Sequence, residues 1–469
     1  MNYRFIHTEN SSRLLIIFAG WGMDAEVFSD IRRPGYDIMV VWDYRSFYID
    51  WIHTASYSEI CILAWSLGVY AASQSIQAID NKITKKIAVC GTLKPIDDQY
   101  GIPEAIFNGT LQGLNPQNLR KFYRRMCATS GDFARFNQHL PSRSVDELKE
   151  ELQAISDSQI LHTPSHSRWD LAIIGREDRI FPPHNQKAAW LKRGVAIEQI
   201  EDCGHYLDFQ SIIDHQFIDK LMVGKRFQAG TATYDDHATV QIDVLERIDH
   251  KIHEHGIDRD LMDSKNAILE IGSGSGMLTR KVARYINEAR YIMWDLAAPI
   301  PEGLPLGRKY EFLNCDAESE ITRLSPASVD HIVSASTIQW FNSPEKFIKN
   351  CYRVLRKGGY AVLSTFTKGN LHQISDITGQ GLPLLSTEQW VTISSNYFNV
   401  IDVVDYQRDL DFETPLDAMR HLKLTGVNSL GRRSGGSVNV RQLLSRIPMM
   451  LDGRYHLTYK PLILILQKQ

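Results

Sequence analysis

The feature that most constrains the fold is a pair of strand-turn-helix signatures, one in each half of the chain. The first is Ala64-Trp65-Ser66-Leu67-Gly68, after the apolar run 60–64, and the second is Glu270-Ile271-Gly272-Ser273-Gly274-Ser275-Gly276, after the run 267–271. A chain of 469 residues is too long for one hydrophobic core. Each signature is therefore expected to lie in its own domain, of roughly 200 to 250 residues.

Short apolar runs alternate with helical patterns in both halves, which predicts parallel sheets covered by helices. The predicted strands are 14–18, 38–42, 60–64, 87–89, 170–174 and 195–200 in the first half, and 267–271, 291–294, 310–313, 331–335 and 360–366 in the second. The stretch 103–169 has helix formers and no strong strand, as in an inserted helical cap. We expect an α/β fold with two domains, 1–220 and 221–469, divided within 221–233; the second restarts with a helix over about 235–255.

The first half carries the parts of a serine-hydrolase triad in the chain order Ser, Asp, His. Ser66 lies in the elbow, Asp178 follows strand 170–174, and His205 follows strand 195–200. Ala64 stands where the G-x-S-x-G pattern has its first glycine, and Glu177 is a competing acid. We predict that His205 takes the proton of Ser66 and that Asp178 orients the imidazole.

Two backbone N–H groups are predicted to form the oxyanion hole of this site. One belongs to Leu67, directly after the nucleophile. The other belongs to Trp21, which has a glycine on each side in Phe18-Ala19-Gly20-Trp21-Gly22.

The second signature predicts a cofactor loop in which glycines let the backbone approach the ligand closely. Glu270-x-Gly272-x-Gly274-x-Gly276 fits S-adenosyl-L-methionine better than the dinucleotide spacing G-x-G-x-x-G. An acid about 20 residues on is expected to hold ribose hydroxyls, and Asp295 lies 19 residues after Gly276. Asp316, after the third strand, is expected at the adenine. The predicted fold is a class I S-adenosylmethionine-dependent methyltransferase.

Methyl transfer to a carboxylate needs positioning more than a base, because a carboxylate is already ionised at neutral pH. The fourth strand runs into polar and aromatic residues where ligands bind in open α/β sheets. We therefore predict that Tyr234, Gln339 and Trp340 orient the substrate.

The motifs of the first half resemble a known esterase family. Phe18-Ala19-Gly20-Trp21-Gly22-Met23-Asp24 and Ala64-Trp65-Ser66-Leu67-Gly68 resemble the BioG-type esterases of biotin synthesis, which are α/β-hydrolases, over about residues 1–220. The resemblance implies hydrolysis of the methyl ester of pimeloyl-acyl carrier protein, with Ser66, Asp178 and His205 at the matched positions.

The second half resembles the BioC family over about residues 222–469. The likeness rests on Tyr234-Asp235-x-His237-Ala238-x-x-x-Gln241, Ser336-x-x-Gln339-Trp340, Ser364-Thr365-Phe366 and His421-Leu422-Lys423-x-Thr425-Gly426-Val427-Asn428. It implies methylation of the free carboxyl of malonyl-acyl carrier protein. The expected protein is a bifunctional biotin-synthesis enzyme. One alternative is a small-molecule methyltransferase fused to a thioesterase or lipase-like hydrolase, and another is a scaffold in which one domain only recruits carrier protein.

Charge and cysteine usage narrow the expected partners. With 52 basic and 55 acidic side chains, and no long apolar run, we expect a cytoplasmic protein that binds neither nucleic acid nor membrane. The six cysteines are scattered and the histidines at 250, 253 and 255 lack metal-ligand spacing, so no metal is expected. An acidic carrier protein is expected to dock on Arg120, Arg124 and Arg125, with Lys225, Arg226, Arg432 and Arg433 as weaker candidates.

Overall fold

The structure is a computed structural model that describes residues 1–161, 168–304, 309–378, 381–425 and 453–469. The chain forms two compact units, Met1–Gln210 and Ser211–Gln469. The sequence places the domain boundary about ten residues later, in a segment that forms helix in the structure. Among the described residues, no helix is long and apolar enough to cross a membrane.

The first unit is built on a seven-stranded sheet in the order β1-β3-β2-β4-β5-β6-β7. Only the pairing of edge strand β1 with β3 is antiparallel. The strands are β1 (Asn2–His7), β2 (Arg13–Phe18), β3 (Asp37–Trp42), β4 (Glu59–Trp65), β5 (Ile83–Val89), β6 (Leu171–Gly175) and β7 (Ala196–Ile200). Strands β2, β4 and β5 are almost wholly buried, as expected for central parallel strands covered on both faces.

Helices α1 (Leu67–Ser75), α6 (Pro183–Leu191) and α7 (Phe209–Gln216) accompany this sheet, and α7 spans the point where the units divide. Four helices are inserted between β5 and β6: α2 (Glu104–Gln112), α3 (Pro116–Met126), α4 (Ser130–Phe136) and α5 (Val145–Leu161). A buried carboxylate in α5, Glu151, ties this cap to the sheet by accepting from the Tyr44 N–H (2.7 Å) and from the Arg143 guanidinium (2.6 Å).

The second unit holds a seven-stranded sheet in the order β10-β9-β8-β11-β12-β16-β13. The first five strands of this order are parallel, and β16 pairs antiparallel with both β12 and β13. The strands are β8 (Ala267–Ile271), β9 (Arg290–Asp295), β10 (Tyr310–Asn314), β11 (His331–Ser334), β12 (Tyr360–Phe366), β13 (Asn399–Asp405) and β16 (Pro461–Gln467).

Helices cover both faces of this sheet, and a small pair of antiparallel strands lies beside it. The helices are α8 (Lys220–His237), α9 (Thr239–Glu254), α10 (Ile257–Asp263), α11 (Met277–Val282), α12 (Ala317–Glu320), α13 (Pro344–Val354), α14 (His372–Thr378), α15 (Thr387–Ser395) and α16 (Pro415–Leu424); the extra strands are β14 (Arg408–Phe412) and β15 (Tyr455–Tyr459). Side chains from α9, α14, α16 and β15 pack into one apolar cluster next to the end of β12.

The predicted fold class is confirmed: both halves are α/β, and the first carries a helical cap. The structure adds elements that the sequence analysis did not predict, chiefly β1, the helix α8, and the strands after β12. Segment 221–233, expected to hold the boundary, lies within α8.

Candidate active sites

Ser66 occupies a strained turn between β4 and α1. Its φ of 60° and ψ of −129° are unusual for a residue with a side chain. The turn is packed tightly against backbone: a Cβ at Gly68 would lie 2.4 Å from the Ala19 carbonyl oxygen, and a Cβ at Gly91 would lie 2.2 Å from that of Ser66. Ala64, the departure from the glycine pattern, is fully buried in β4.

His205 bridges Ser66 and Asp178. Its Nε2 lies 2.8 Å from the Ser66 Oγ, and its Nδ1 lies 2.9 Å from the Asp178 Oδ2. All three side chains are buried. The Trp65 indole donates to the His205 carbonyl oxygen (2.9 Å), and the Phe181 ring stacks on the imidazole. The loop therefore holds the histidine in the orientation that a serine nucleophile requires.

The Asp178 carboxylate is held from several sides. Its Oδ1 accepts from the N–H groups of Ile180 (2.8 Å) and Phe181 (2.9 Å), and its Oδ2 accepts from the Gln186 amide (2.9 Å) as well as from His205. These donors fix the orientation of the carboxylate toward His205. The competing acid Glu177 is exposed and is not a partner of His205.

Cys90 lies beside this pair, close enough that Cys90, Asp178 and His205 could converge on one ion. Burial raises the pKa of the Cys90 thiol well above its ordinary value, which keeps it protonated. Both imidazole nitrogens of His205 already face Ser66 and Asp178. The geometry is therefore that of a proton-transfer chain.

Trp21, Ser66 and Leu67 line one cleft. Leu67 begins α1, where the first N–H groups have no acceptor inside the helix. The Trp21 indole donates to the Leu148 carbonyl oxygen in the cap (2.9 Å), and its ring meets Phe122 edge-on. The remaining wall is mostly apolar, with two arginines, Arg125 and Arg179.

In the second unit, the glycine loop runs between β8 and α11 with positive φ at Gly272, Gly274 and Gly276. A Cβ at Gly272 would lie 1.9 Å from the Thr337 Oγ1, so this position needs glycine for close approach. Gly272 and Gly274 line a large cleft at the carboxyl edge of the sheet, while Gly276 lies outside it and caps α11.

The three predicted acids have different surroundings. Asp295 lines the cleft and accepts from the N–H groups of Gly274 (2.8 Å), Ala297 and Ala298. Asp316 also lines it, paired with Lys220 at 2.6 Å. Glu270 does not line the cleft: it is buried behind the loop and accepts from the Thr279 hydroxyl (2.6 Å). Burial raises the pKa of Glu270 to about 7.

Of the predicted orienting residues, Tyr234 and Trp340 lie where the cofactor cleft meets a second, smaller cavity. Gln339 lines only the smaller cavity and donates to the Ser336 carbonyl oxygen (2.5 Å). Tyr459 also lines the smaller cavity, and its hydroxyl lies 2.9 Å from the His421 Nε2. Burial, with His237 nearby, lowers the pKa of His421 to about 4, so this imidazole is neutral at pH 7.

Sequence reasoning did not single out several residues at these sites. Gln186 donates to Asp178, Lys220 pairs with Asp316, and Arg179 lines the cleft that holds Ser66. Gln186 and Lys220 lie in helices with no local signal. Arg179 is adjacent to Asp178 in the sequence, which is the one signal that could have pointed to it.

The predicted docking arginines differ in position. Arg120 and Arg124 are exposed on α3, and Arg124 stacks over Phe133 in α4. Arg125, also exposed, lines the cleft that holds Ser66. Lys225 is exposed on α8. Arg432 and Arg433, and residues 426–428 of the His421 motif, lie outside the described residues.

The histidines at 250 and 253 in α9, and His255 directly after it, pair with three different acids. His250 lies 3.7 Å from Glu254, His253 lies 2.8 Å from Asp258, and His255 lies 2.9 Å from Asp402. They do not converge on one point.

The comparisons with known proteins agree with this division. Residues 1–216 match the family described as pimeloyl-ACP methyl esterase BioG, and residues 269–363 match a methyltransferase domain. A malonyl-(acyl-carrier protein) O-methyltransferase of Bacteroides fragilis is 34% identical over 462 residues, covering 97% of this chain and 93% of that protein.

Two further relatives each match one half. A malonyl-(acyl-carrier protein) O-methyltransferase of Haemophilus influenzae is 32% identical and covers 53% of this chain and 94% of its own length. The crystal structure of BioG from Haemophilus influenzae is 32% identical, covering 44% of this chain and 94% of that chain with a TM-score of 0.41. The chain belongs to the malonyl-(acyl-carrier protein) O-methyltransferase family, and its first domain matches the BioG methyl esterases.

Proposed function

We propose that this chain is a bifunctional enzyme of biotin synthesis. The second domain methylates the free carboxyl of malonyl-acyl carrier protein, and the first hydrolyses the methyl ester of pimeloyl-acyl carrier protein to the acid and methanol. The observation that carries the proposal is the presence, in one chain, of a Ser66–His205–Asp178 hydrogen-bond chain at the floor of a cleft and a glycine-loop cleft in a second sheet.

In the esterase domain, Ser66 is the nucleophile and His205 the general base. Ser66 Oγ attacks the ester carbonyl as its proton moves to His205 Nε2, and the imidazolium is stabilised by Asp178. The N–H groups of Trp21 and Leu67 receive the developing oxyanion. His205 returns the proton to the leaving methoxide, and water then cleaves the acyl-enzyme by the same route.

The cleft of the second domain suits S-adenosyl-L-methionine. Gly272 and Gly274 open the wall to close approach, and Asp295 and Asp316 supply carboxylates for hydroxyl and amine groups. The buried Ser273 hydroxyl has no hydrogen-bond partner among the described residues, so a ligand in this cleft could bond it. When bound, this cofactor supplies an electrophilic methyl group on a sulfonium, so that a carboxylate oxygen forms the new bond while the broken bond's electron pair stays with sulfur. Tyr234 and Trp340 would orient the acceptor.

The two opposed activities make physical sense as a masking cycle. Fatty-acid elongation enzymes accept apolar chains, and an ionised ω-carboxylate is very costly to bury without a partner. A methyl ester hides this charge during elongation, and hydrolysis restores it afterwards. Such a cycle works only if the esterase prefers the long product over the short starting ester.

Carrier-protein docking is proposed for the basic face of α3. Arg120 and Arg124 are exposed there, and Arg125 continues this surface to the cleft that holds Ser66. An acidic carrier delivered to this face would have its acyl chain close to the nucleophile.

The test is incubation of the full chain with malonyl- and methyl-pimeloyl-carrier protein, with and without S-adenosyl-L-methionine, read by intact mass. We expect a gain of one methyl on the first and loss of one on the second. Equal turnover of the free acids and esters would favour a small-molecule enzyme instead. Comparable hydrolysis of malonyl and pimeloyl methyl esters would contradict the masking cycle.

A further inference from the structure

The cofactor cleft and the smaller cavity of the second domain share a wall. Phe227, Tyr234, Gln241, Ser336 and Trp340 line both. A group that enters from the smaller cavity meets the cleft at this wall. The residues there are therefore placed to contact a methyl acceptor.

Gln241 is the most distinctive residue of the shared wall. It lies in α9, is only 6% exposed, and is the one carboxamide that lines both cavities. None of the hydrogen bonds between described residues involves its amide, so its N–H groups are available as donors to a ligand. A ligand atom at the junction would satisfy this amide.

Tyr234 presents a second donor from α8 at the same wall. Its hydroxyl also has no partner within the described part of the chain. Burial, with Asp235 and Asp295 nearby, raises the pKa of Tyr234 well above its ordinary value. The phenol therefore remains an O–H donor at neutral pH.

Basic side chains are nearly missing from these walls. Lys220 is the one lysine or arginine among the described residues that line either cavity, and its ammonium is already paired with Asp316 and Glu318. A carboxylate at the junction would thus meet neutral donors.

Neutral hydrogen-bond donors are suited to binding a carboxylate that must then accept a methyl group. The carboxylate loses its charge as the ester forms, so a fixed cation would stabilise the ground state more than the transition state. Amide and hydroxyl donors hold the oxygen without that penalty. They also leave the second oxygen free to attack.

We infer that Gln241 and Tyr234 form a neutral-donor subsite that binds the acceptor carboxylate at the junction of the two cavities. The inference rests on the proposed methylation of a malonyl group and adds which residues recognise it. Gln241 donates its amide N–H and Tyr234 its O–H to the same carboxylate.

The test measures binding of malonyl-pantetheine to the full chain by calorimetry, with S-adenosylhomocysteine present. Gln241→Glu keeps the side-chain shape but places a negative charge against the ligand, and we expect a loss of affinity of about a hundredfold. Tyr234→Phe, which removes one charge-assisted hydrogen bond, should lose about tenfold or more. The neutral methyl ester of malonyl-pantetheine should bind wild type and Gln241→Glu within about threefold of each other.

Tyr455→Phe is the matched control, because Tyr455 is a tyrosine of the same domain that lines neither cavity. Urea unfolding of each variant reports whether it folds, independently of the cofactor cleft that both residues line. Tyr234→Phe remains the test if Gln241→Glu does not fold. Wild-type affinity in both variants would overturn the subsite, as would failure of wild type to bind malonyl-pantetheine. Selective binding without methyl transfer would keep the subsite and refute the proposed function.

Discussion

Glu270 shows how one buried residue sets the pH response of the second domain. Its carboxylate is fully buried behind the glycine loop, and burial raises its pKa from 4.5 to about 7. The folded protein therefore holds a proton that the unfolded chain releases between these pH values. The free energy of unfolding should fall as the pH rises through this window.

Glu270→Gln tests this linkage, because glutamine keeps an acceptor for Thr279 and does not titrate. Between pH 4.5 and 7, we expect the free energy of unfolding of the wild type to fall by on the order of 3 kcal/mol relative to that of the variant. Above pH 7 the difference between the two proteins should not change further. Urea unfolding of both proteins at half-unit pH steps measures the difference. A difference that is constant with pH would show that Glu270 titrates normally.

At the scale of the element, the glycine loop is shaped by the distance between β8 and the turn after β11. Gly272→Ala combines a positive φ with a Cβ 1.9 Å from the Thr337 Oγ1. We expect loss of S-adenosyl-L-methionine binding by about tenfold or more, because the loop must move away from Thr337.

Gly256→Ala is the control for this prediction. Gly256 has nearly the same φ, +71° against +74°, but nothing lies within 4 Å of its Cβ position. Gly256→Ala should lower the free energy of unfolding by roughly 1 to 2 kcal/mol and leave the affinity for the cofactor unchanged. Calorimetric titration of both variants with S-adenosyl-L-methionine measures the two affinities. An equal loss of affinity in the two variants would show that backbone strain alone, and not the contact with Thr337, causes the effect.

The proposed docking of carrier protein on the basic face of α3 can be tested by reversing one of its charges. Arg120→Glu should raise KM for carrier-bound methyl-pimelate several-fold at low salt and leave hydrolysis of a short free methyl ester unchanged. Lys187→Glu, an exposed lysine in α6, is the charge-matched control. An equal rise in KM for the two variants would show that the net charge of the domain, and not the basic face of α3, determines binding of the carrier protein.

At the scale of the whole molecule, each domain has its own core and its own site. Ser66→Ala should lower ester hydrolysis by roughly 10³-fold or more and leave methylation intact. Gly274→Arg should do the reverse, since Gly274 lines the cofactor cleft with open space at its Cβ position. The intact-mass assay reads both reactions on one sample. Hydrolysis that survives Ser66→Ala, or methylation that survives Gly274→Arg, would contradict the assignment of that reaction to its domain. A wild-type chain that lacks one of the two activities would support the scaffold alternative.

The fold class of both domains, the elbow and the glycine loop could be predicted from the sequence, because local propensity and the spacing of turn residues encode strand-turn-helix units. The sequence also supplied Ser66, Asp178 and His205 in the right order, since each follows a strand end. The long helix α8 was missed because its glycine and polar residues resemble a boundary segment. Strand β16 was missed because it pairs between two strands far from it in sequence.

Which side chains contact one another could be seen only in the folded protein. The Gln186 amide donates to Asp178. Glu270 was predicted to bind the cofactor, but its carboxylate is buried behind the glycine loop and accepts from Thr279. Gln241 and Tyr234 come together from two helices at the wall between two cavities. Such contacts depend on packing between distant elements, and no local pattern in the chain records them. The reacting residues of each site can therefore be predicted from the sequence, whereas the neighbouring side chains that set their orientation and pKa are known only from the fold.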